Sequence, residues 1–583
     1  MLRLDAPFVL LDDARDGGAA ARLYTAPVDI VVAHLPHEVA PALEKLRQAR
    51  SRGLHAAGMI AYEAGAALEP GVPAPKAGDG PLLWFGLFED YRNLSVEGAL
   101  PDPAGAWIGA LRPECDEERH AEQFAEVQRL ITAGDLYQVN LSFRATAPVL
   151  GDPLALYAAL RARSRAGWGA VVATGEATIL SLSPEMFFAL KGGRLTARPM
   201  KGTARREEDP GADARAARTL HDDPKQRAEN LMIVDLMRND LSRVARAGSV
   251  AVPELFAVEP YPTVHQMVST VTADLAEGRD AVDVLAALFP CGSITGAPKI
   301  RAMQAIAAIE DSPRGLYTGS IGRLDADGDA MFNVAIRTLT WPNGATDVTL
   351  GIGSGVVADS VAGAEWDECL AKAAFLSGGQ PDFDLIETMA FDPIEGIQHL
   401  EAHLARMKAS AAALGFAFNR HDARNELQAA TFRLRDARRI RLLLAPGGAL
   451  VVEVAPPPAP FDGVVPVRIV PLPVSPEDLR LRHKTSARGF YDAARARAGT
   501  AEVVFEAPDG SLTEGSYTSL FVPHGDRLAT PPLAHGLLPG VLRGHLIESG
   551  QAVEERLTRT DLRDGFLLGN ALRGLFRAEV VAD

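Results

Sequence analysis

The sequence lacks the marks of several classes of protein. Its 583 residues contain three cysteines, Cys115, Cys291 and Cys369, too few and too widely spaced for a disulfide framework or a paired-cysteine metal site. No apolar run approaches the ~18 residues that cross a bilayer, and the N-terminal residues lack the apolar core of a signal peptide. We therefore expect a cytoplasmic protein with no membrane partner.

Basic residues are in deficit as well. Lys and Arg number 59 against 75 Asp and Glu, which gives a formal net charge of -16. Such a charge disfavours binding to a nucleic-acid backbone, so we expect no nucleic-acid partner. The 47% content of hydrophobic residues is ordinary for a globular protein, and no segment recurs at the periods of repeat folds.

Glycine and proline residues cluster at SGGQPDFD, and the sequence pattern before this segment differs from the pattern after it. Before this point, short β-branched runs alternate with Ala-rich helical segments, which predicts a large α/β or α+β unit; after it, a helix and several strands are predicted. The first unit is predicted to span residues 1–376, with a weakly patterned N-terminal segment over residues 1–115 and a catalytic core over residues 116–376. A linker over residues 377–383 and a second unit over residues 384–583 follow.

Two residues of the first unit stand out as candidates for catalysis. In RPMKGTARR, Lys201 lies between Pro199 and Gly202, where a turn is predicted to project its ammonium into a cleft. In SLSPEMFFAL, Glu185 precedes an apolar strand, so a partly dry carboxyl with a raised pKa could donate a proton there. A solvated loop lysine is the alternative for Lys201.

Further carboxylates lie on predicted helices. Glu229 shares a face with apolar residues, and Glu365, Glu368 and Lys372 follow one another at i, i+3 and i+7. Mg²⁺ commonly takes one or two protein carboxylates together with substrate oxygens. The alternative for both helices is an internal salt bridge.

Two glycine-rich elements indicate an anionic ligand. In FPCGSITGAPKIRAM, Thr295 and Gly296 come just before a predicted helix, whose free N–H groups favour an anion. In GIGSGVV, which contains Gly353, a strand-like VV follows where a dinucleotide fingerprint has a helix, so nucleotide binding is not expected.

The segments GDLYQVNLSFR, SLSPEMFF, RPMKGT, AENLMIVDLMRNDLSRV, CGSITGAPKIRAM, RGLYTGSIG and GSGVVADS occur in this order over residues ~115–376. Together they resemble the chorismate-utilising enzyme family, which implies a large fold of mixed sheets with helices. Lys201 in the PxKGT motif is similar to the aminodeoxychorismate synthases of the family, whereas anthranilate synthases usually carry Ala there.

The resemblance implies roles for individual residues. Lys201 would attack C2 of chorismate while Glu185 protonates the departing C4 hydroxyl, after which ammonia would add at C4. Mg²⁺ would be held by Glu229 and Glu368, with Glu365 adjoining, and Gln226 departs from a more usual Glu. The residues whose positions match the substrate-binding ones are His265, Thr295, Gly296, Tyr317, Arg337, Gly353 and Lys372.

An ammonia source is not indicated by this sequence. A class I glutaminase needs a Cys nucleophile in a Gly-flanked elbow with a His, and PECDE, FPCGS and DECLA lack that setting. A separate glutaminase subunit, or free ammonia, is therefore expected.

The second unit carries the pattern of a pyridoxal phosphate site. Lys484 in RLRHKTSARGF could hold the cofactor covalently, and Glu514, 30 positions later, could keep its pyridine nitrogen protonated. Arg406 is a candidate phosphate partner, together with the amides of Val541 and Leu542 at the start of a predicted helix. Surface roles are the alternative for each residue taken singly.

These motifs resemble the class IV pyridoxal-phosphate aminotransferases over residues ~382–583, which implies a D-amino acid aminotransferase-like α/β fold. Members include aminotransferases and aminodeoxychorismate lyase, and such domains commonly dimerise, so a homodimer through this unit is possible. Leu542 stands where the family usually has Thr. Gly489 stands where its aminotransferases often have Tyr, which favours a lyase.

The combination predicts a bifunctional enzyme of folate biosynthesis. It would aminate chorismate to 4-amino-4-deoxychorismate and then eliminate pyruvate to give 4-aminobenzoate. One alternative joins the synthase to a class IV amino acid transaminase. The other is an anthranilate synthase-like unit with a non-catalytic C-terminal docking domain.

Overall fold

The computed structural model describes residues 5–73, 76, 78–261, 264–376 and 383–581. Residue contacts divide the chain into two units. The first comprises Met1–Leu100, Ala110–Pro148 and Tyr157–Gly378, and the second comprises Pro101–Gly109, Val149–Leu156 and Gly379–Asp583. The predicted linker 377–383 lies outside the described residues except for Phe383.

Strands and helices alternate over the first two thirds of the chain, as expected for a mixed fold. The strands are β1 Phe8–Asp12, β2 Ala21–Thr25, β3 Asp29–Ala33, β4 His55–Ile60, β5 Leu83–Phe88, β6 Arg92–Leu94, β7 Ala106–Ile108, β8 Arg112–Pro113, β9 Gln138–Gly151, β10 Trp168–Ala173, β11 Ala177–Ser183, β12 Met186–Lys191, β13 Arg194–Ala197, β14 Met200–Arg205, β15 Ala251–Pro260, β16 Val264–Asp274, β17 Gly296–Ala297, β18 Ser320–Leu324, β19 Ala330–Asn333, β20 Thr338–Pro342 and β21 Asp347–Val356. The helices are α1 Pro36–Ser51, α2 Gly65–Leu68, α3 Glu117–Thr132, α4 Pro153–Ser164, α5 Pro210–Asp222, α6 Pro224–Ser242, α7 Ala281–Leu288, α8 Lys299–Ile309 and α9 Ala362–Lys372.

Two sheets form the framework of the first unit. One has the strand order β17-β9-β21-β20-β11-β10-β1-β2-β6, and the other has the order β14-β16-β13-β12-β19-β18-β4-β5-β3. An apolar cluster that includes Val9, Tyr24, Trp84 and Ile179 draws side chains from both sheets, so the sheets face each other. A larger cluster, which includes Phe187 on β12, packs α1, α6 and α7 against the second sheet.

Local sequence signals explain where the helices of the site begin. Asp223 precedes α6, and its carboxylate accepts hydrogen bonds from the backbone N–H groups of Lys225 and Gln226, while Pro224 occupies the first helical position. Asp116 caps α3 in the same way through the N–H of Arg119. These caps satisfy donors that a helix start otherwise leaves free.

A buried ion pair ties several loops of the first unit together. The guanidinium of Arg314, which is 6% exposed, donates to both carboxylate oxygens of Glu310 at 2.9 and 2.6 Å. It also donates to the carbonyls of Asn140 at 2.6 Å and Ile294 at 3.1 Å. Glu310 accepts further bonds from the N–H and hydroxyl of Ser142. One side chain therefore joins β9, the segment before β17 and the turn after α8.

The second unit contains strands β22 Leu385–Asp392, β23 Gly396–Ile397, β24 Arg438–Leu444, β25 Leu450–Ala455, β26 Val465–Pro471, β27 Glu502–Glu506, β28 Leu512–Gly515, β29 Ser519–His524, β30 Arg527–Thr530, β31 Ala552–Glu554, β32 Phe566–Asn570 and β33 Gly574–Val580. Its helices are α10 Leu400–Leu414, α11 Arg420–Thr431, α12 Gly489–Ala498 and α13 Val541–Glu548. The predicted helix and strands of this unit are confirmed at these positions.

Two sheets also organise the second unit. One has the order β23-β22-β24-β25, with α10 and α11 packed on an apolar face that includes Met389 and Leu404. The other has the order β28-β27-β26-β33-β32-β29-β30-β31, and a further pairing of Glu514 in β28 with Ser519 in β29 closes part of it into a ring. Within the described residues, no helix is long and apolar enough to cross a membrane.

Loss of the Arg314 charge should destabilise the first unit. Arg314→Met keeps much of the volume but leaves Glu310 buried without its cation, so we expect the free energy of unfolding to fall by about 3–5 kcal/mol. Urea unfolding followed by tryptophan fluorescence measures this change. The control Arg129→Met breaks an exposed pair with Glu126 and should cost less than about 1 kcal/mol. Equal losses in the two variants would contradict the assignment.

Candidate active sites

Lys201 lies on β14 at an irregularity of the sheet. The register of β14 against β16 shifts between Met200 and Thr203, and Gly202 between them has a φ of +105°. A β-bulge of this kind redirects the neighbouring side chain. The structure thus has a bulged strand at Lys201 where the sequence predicted a turn, because β16 continues to pair on both sides of the bulge.

The Lys201 ammonium is held from several sides. Its Nζ lies 3.2 Å from Oε2 of Glu229 on α6, so the helix carboxylate predicted as a metal ligand is an ion-pair partner here. Asn230 donates to the carbonyl of Lys201 at 3.2 Å and fixes the backbone. A Cβ on Gly355 would lie 3.0 Å from Nζ, so glycine leaves room for the ammonium.

Glu185 is the buried acid that the sequence predicted. It is 6% exposed, and its Oε1 accepts a hydrogen bond of 2.8 Å from the Ser293 hydroxyl. Burial raises the pKa of Glu185 to about 7, although the Ser293 hydroxyl and the charges of Lys372 and Lys201 oppose this rise. A carboxyl with this pKa can donate or accept a proton near neutral pH.

Helix α9 carries the remaining charged candidates. Lys372 Nζ lies 2.8 Å from Oε1 of Glu368 and donates to the carbonyl of Gly353 at 3.1 Å. Burial would raise the pKa of Glu368, but the ammonium groups of Lys372 and Lys201 hold it below its ordinary value. Oε2 of Glu365 is buried and has no hydrogen-bond partner among the described residues.

The arrangement of these carboxylates can be compared with the ligands that a divalent cation needs. No three His, Cys, Asp or Glu side chains within the described ranges are already gathered as a metal cluster. Glu229 is instead paired with Lys201 of β14, and Glu368 with Lys372 of its own helix. The all-oxygen donor set and the unpartnered Glu365 oxygen nevertheless suit Mg²⁺, which prefers carboxylate ligands.

The loop before α8 brings its backbone unusually close to β9. Gly296 has a φ of +151°, and a Cβ there would lie 2.3 Å from the carbonyl oxygen of Gln138, so only glycine fits. The Thr295 hydroxyl donates within the loop to the carbonyls of Cys291 and Gly292 at 3.1 and 3.2 Å. Thr295 therefore braces the loop, and its oxygen lone pairs remain available as acceptors.

Tyr317 and Arg337 differ in how they are held. The Tyr317 ring packs on β21, where a Cβ on Gly351 would lie 2.1 Å from its Cγ. Arg337 has a φ of +50°, a strained conformation for a non-glycine residue. Burial lowers the pKa of its guanidinium, and no ion pair or side-chain hydrogen bond links it to another described residue. An unpaired, largely desolvated guanidinium is suited to a carboxylate ligand.

His265 on β16 has a carboxylate partner. Its Nε2 and Oδ1 of Asp213 on α5 lie 2.8 Å apart, and the ring is 5% exposed. The Arg206 guanidinium, with other donors, holds the pKa of Asp213 well below its usual range, so the carboxylate stays charged. Among the described residues, no hydrogen bond or ion pair joins the His265 side chain to the other predicted substrate residues.

Some residues of this site were missed by sequence reasoning. Ser293 was noticed only as part of a glycine-rich loop, and Asn230 and Asp213 were not singled out. Asn230 directly follows Glu229, and a buried amide on a helix face is a signal that could have marked it.

Lys484 of the second unit is a half-buried amine. Its carbonyl accepts a hydrogen bond from the N–H of Ile386 at 2.9 Å, whereas no described residue forms an ion pair or hydrogen bond with its ammonium. Burial, reinforced by the charge of Arg406, lowers the pKa of Lys484 to about 7. A substantial fraction of the amine is therefore neutral and nucleophilic near neutral pH.

Arg406 on α10 has a buried carboxylate partner that the sequence did not reveal. Its Nε and Nη2 donate to Glu387 at 2.8 and 2.6 Å, and Nη1 donates to the carbonyl of Pro539 at 2.9 Å. His403 lies 2.6 Å from the same carboxylate. Burial opposes ionisation, but Arg406 and His403 hold the pKa of Glu387 at about 2. One N–H on each terminal nitrogen of Arg406 remains for an anion.

A short segment before α13 connects the predicted cofactor residues. The N–H of Leu538 donates to Oε2 of Glu514 at 3.2 Å, and the next residue, Pro539, accepts from Arg406. Helix α13 then begins at Val541, so the amides of Val541 and Leu542 are at a helix start. The Leu542 side chain packs against an apolar cluster, which accounts for leucine in place of a hydroxyl residue.

The second site fits pyridoxal phosphate. An amine with no partner in the described structure, an arginine with two free N–H groups and the amides at the start of α13 match the aldehyde and phosphate of the cofactor. Glu514, 5% exposed, is the carboxyl available for a pyridine nitrogen, and burial raises its pKa to about 7.

Family models match the two portions of the chain. The model described as chorismate binding enzyme matches residues 15–378, and the model described as amino-transferase class IV matches residues 384–580. Because the first match covers more than half of the chain, the chain belongs to the chorismate binding enzymes; its C-terminal portion is an amino-transferase class IV domain. The predicted order of the two folds is confirmed.

Individual relatives refine this comparison. Aminodeoxychorismate synthase component 1 of Klebsiella aerogenes is 48% identical over 263 residues, 45% of this chain and 58% of that protein. Anthranilate synthase component 1 of Streptomyces coelicolor is 42% identical over 286 residues, 48% of this chain and 55% of that protein. The chain thus spans a little over half the length of these curated relatives.

A solved structure supports the fold of the first unit. The crystal structure of anthranilate synthase component I from Streptococcus pneumoniae is similar with a TM-score of 0.54 and 26% identity, over 65% of this chain and 93% of that chain.

The buried Glu185 carboxyl should make stability depend on pH. Below pH 4.5 it is protonated in both states, and between about 4.5 and 7 only the folded state keeps the proton, so stability falls as pH rises through this window. At pH 8, Glu185→Gln should therefore be more stable than the natural chain by about 3 kcal/mol. Urea unfolding at pH 4 and pH 8 measures the difference.

The matched control is Glu118→Gln, which changes an exposed carboxylate and should show no such difference. A Glu185→Gln stability gain that is the same at both pH values would contradict the raised pKa.

Proposed function

We propose that the first unit aminates chorismate to 4-amino-4-deoxychorismate. The observations that carry this proposal are the Lys201 ammonium, held 3.2 Å from Glu229, and the buried Glu185 carboxyl, which accepts a hydrogen bond of 2.8 Å from Ser293. Burial raises the pKa of Glu185 and the charge of Lys201 opposes this rise, which supports a common site for the two groups. Replacement of a hydroxyl by an amine through a covalent bond to the enzyme needs two groups, a nucleophilic amine and a proton donor. The 48% sequence identity between part of this chain and two proteins named aminodeoxychorismate synthase component 1 supports the same reaction.

Each residue has a role in this step. Lys201, once deprotonated, attacks C2 of chorismate; both conjugated ring double bonds shift by one position, and the C4 hydroxyl leaves as water with the proton of Glu185. Ammonia then adds at C4 and expels the Lys201 amine. Arg337, whose guanidinium has no ion-pair partner among the described residues, binds a carboxylate of the substrate, and Lys372, which also pairs with Glu368, binds a second one.

The remaining candidates support the substrate and its charge. Thr295, Gly296, Tyr317 and Gly353 shape the carboxylate-binding surface, and His265 is oriented by Asp213. Glu229 and Glu368, with Glu365 adjoining, would hold Mg²⁺, which supplies positive charge to an anionic substrate.

Ammonia is proposed to come from a separate glutaminase subunit. The word component in the names of the relatives supports a divided enzyme. Burial raises the pKa of Cys115 and Cys369 to about 11 and that of Cys291 to about 12, so none has the thiolate that a glutaminase nucleophile needs.

We propose that the second unit eliminates pyruvate from the aminated product to give 4-aminobenzoate. Pyridoxal phosphate, when bound, supplies the electron sink for this step. Lys484 is the base for the ring proton, since its lowered pKa gives a neutral amine at neutral pH. Arg406 and the amides of Val541 and Leu542 would hold the phosphate, and Glu514 would hold the pyridine nitrogen.

Product analysis tests the combined function. Chorismate and ammonium salts, with Mg²⁺ and pyridoxal phosphate, should give 4-aminobenzoate and pyruvate in equal amounts, measured by chromatography with mass spectrometry. Lys201→Ala should abolish amination, and Glu185→Gln should slow it by roughly 10²–10⁴-fold, the usual contribution of a positioned acid. The exposed Lys191→Ala is the control and should be unaffected. Anthranilate as the product would refute the proposal.

A variant of the second unit separates the two steps. Lys484→Ala should accumulate 4-amino-4-deoxychorismate while its formation continues, because Lys201 is unchanged. Lys408→Ala, an exposed lysine on α10, is the control and should release 4-aminobenzoate normally. Unimpaired 4-aminobenzoate release by Lys484→Ala would rule out the lyase assignment. Amino-group transfer from D-alanine or branched-chain amino acids to 2-oxoglutarate by the natural chain would favour the transaminase alternative.

A further inference from the structure

Tyr491 on α12 lies beside the proposed cofactor site, although no motif pointed to it. Its side chain is 2% exposed, and its hydroxyl donates to Oε1 of Glu514 at 2.6 Å. Burial keeps the pKa of the Tyr491 hydroxyl well above its usual value, so this group stays a donor at neutral pH. Glu514 therefore receives a buried, permanently protonated partner.

The position of the hydroxyl is determined by packing around the ring. The Tyr491 ring contacts Phe505, with ring centroids 5.5 Å apart, and the guanidinium of Arg488 lies 4.8 Å from its centroid. Arg488 is itself anchored by a hydrogen bond of 2.7 Å to the carbonyl of Ser516, two residues after Glu514. The tyrosine and the carboxyl are thus held on one rigid frame.

The two oxygens of Glu514 have different donors. Tyr491 bonds Oε1, and the N–H of Leu538 bonds Oε2 at 3.2 Å, which together fix the plane of the carboxyl group. Both donors stabilise the ionised form against the effect of burial. Each oxygen keeps a further lone pair, and an ionised carboxylate can accept a hydrogen bond from a pyridine nitrogen only when that nitrogen carries a proton.

We propose that Tyr491 is a positioning residue of the second unit, whose hydroxyl orients the Glu514 carboxylate to accept a hydrogen bond from the protonated pyridine nitrogen of pyridoxal phosphate. This inference rests on the proposed cofactor of the second unit. Tyr491 acts only through Glu514, so its contribution should vanish when Glu514 can no longer carry charge.

Tyr491→Phe removes the hydroxyl and keeps the ring with its packing. With the full-length chain, the dissociation constant of pyridoxal phosphate, measured by equilibrium dialysis, should rise about tenfold, as expected for a lost hydrogen bond to a charged group. The pH midpoint of the visible absorbance of the bound cofactor should move upward, because a ring with less positive charge retains the proton on the lysine-linked nitrogen more tightly.

Tyr517→Phe is the matched control. Tyr517 also donates its hydroxyl, at 3.1 Å to the carbonyl of Ala501, and also has an arginine over its ring, Arg495 at 5.2 Å. Its acceptor is not a carboxylate, so neither the dissociation constant nor the pH midpoint should change.

A double-mutant cycle with Glu514→Gln tests whether the hydroxyl acts through the carboxylate. In the Glu514→Gln background, Tyr491→Phe should produce no further change in the pH midpoint. An unchanged midpoint in the single variant, the same change in Tyr517→Phe, an undiminished effect in the double variant, or a Tyr491→Phe chain that does not fold would each overturn the positioning role. If the natural chain binds no pyridoxal phosphate, the proposed function of the second unit falls and this inference falls with it.

Discussion

The buried ion pair of Arg314 and Glu310 is the interaction on which the candidate site of the first unit depends. Arg314 donates hydrogen bonds to the carbonyls of Ile294 and Asn140. The same side chain therefore holds both the loop that carries Thr295 and strand β9, which pairs with the strand of Gly353. A guanidinium can do this because its donors form a rigid planar fork. Backbone groups that could otherwise shift independently are thereby fixed in one arrangement.

Burial of ionisable groups shifts the pKa values at both candidate sites. Glu185 and Glu514 have pKa values of about 7, and Lys484 also has a pKa of about 7, in each case because desolvation disfavours the charged form. Glu387 shows the opposite result, since Arg406 and His403 compensate its burial. The difference between a reactive group and a structural one is whether a fixed countercharge is present.

Much of the fold and of the candidate sites could be predicted from local patterns. The strand after Glu185, the helices that carry Glu229 and Glu368, and helix α10 with Arg406 follow from the pattern of apolar residues, and the start of the Glu229 helix follows also from its capping residue, Asp223. The bulge at Lys201 could not be predicted, because it depends on pairing with β16, where Val268 lies opposite Met200 and Gln266 opposite Thr203. The Ser293, Asp213, Glu387 and Tyr491 contacts were missed for the same reason, since each partner is distant in sequence.

The sequence by itself determined the class of the two units and the residue types at their centres, because motifs such as PMKGT and the lysine and glutamate of the second unit keep their spacing along the chain. Only the tertiary structure decided which charges are compensated. Lys201 is paired with Glu229 and Lys372 with Glu368, whereas Lys484 and Arg337 have no partner among the described residues. Coulomb interactions and desolvation depend on distance in space, which separation along the chain does not specify.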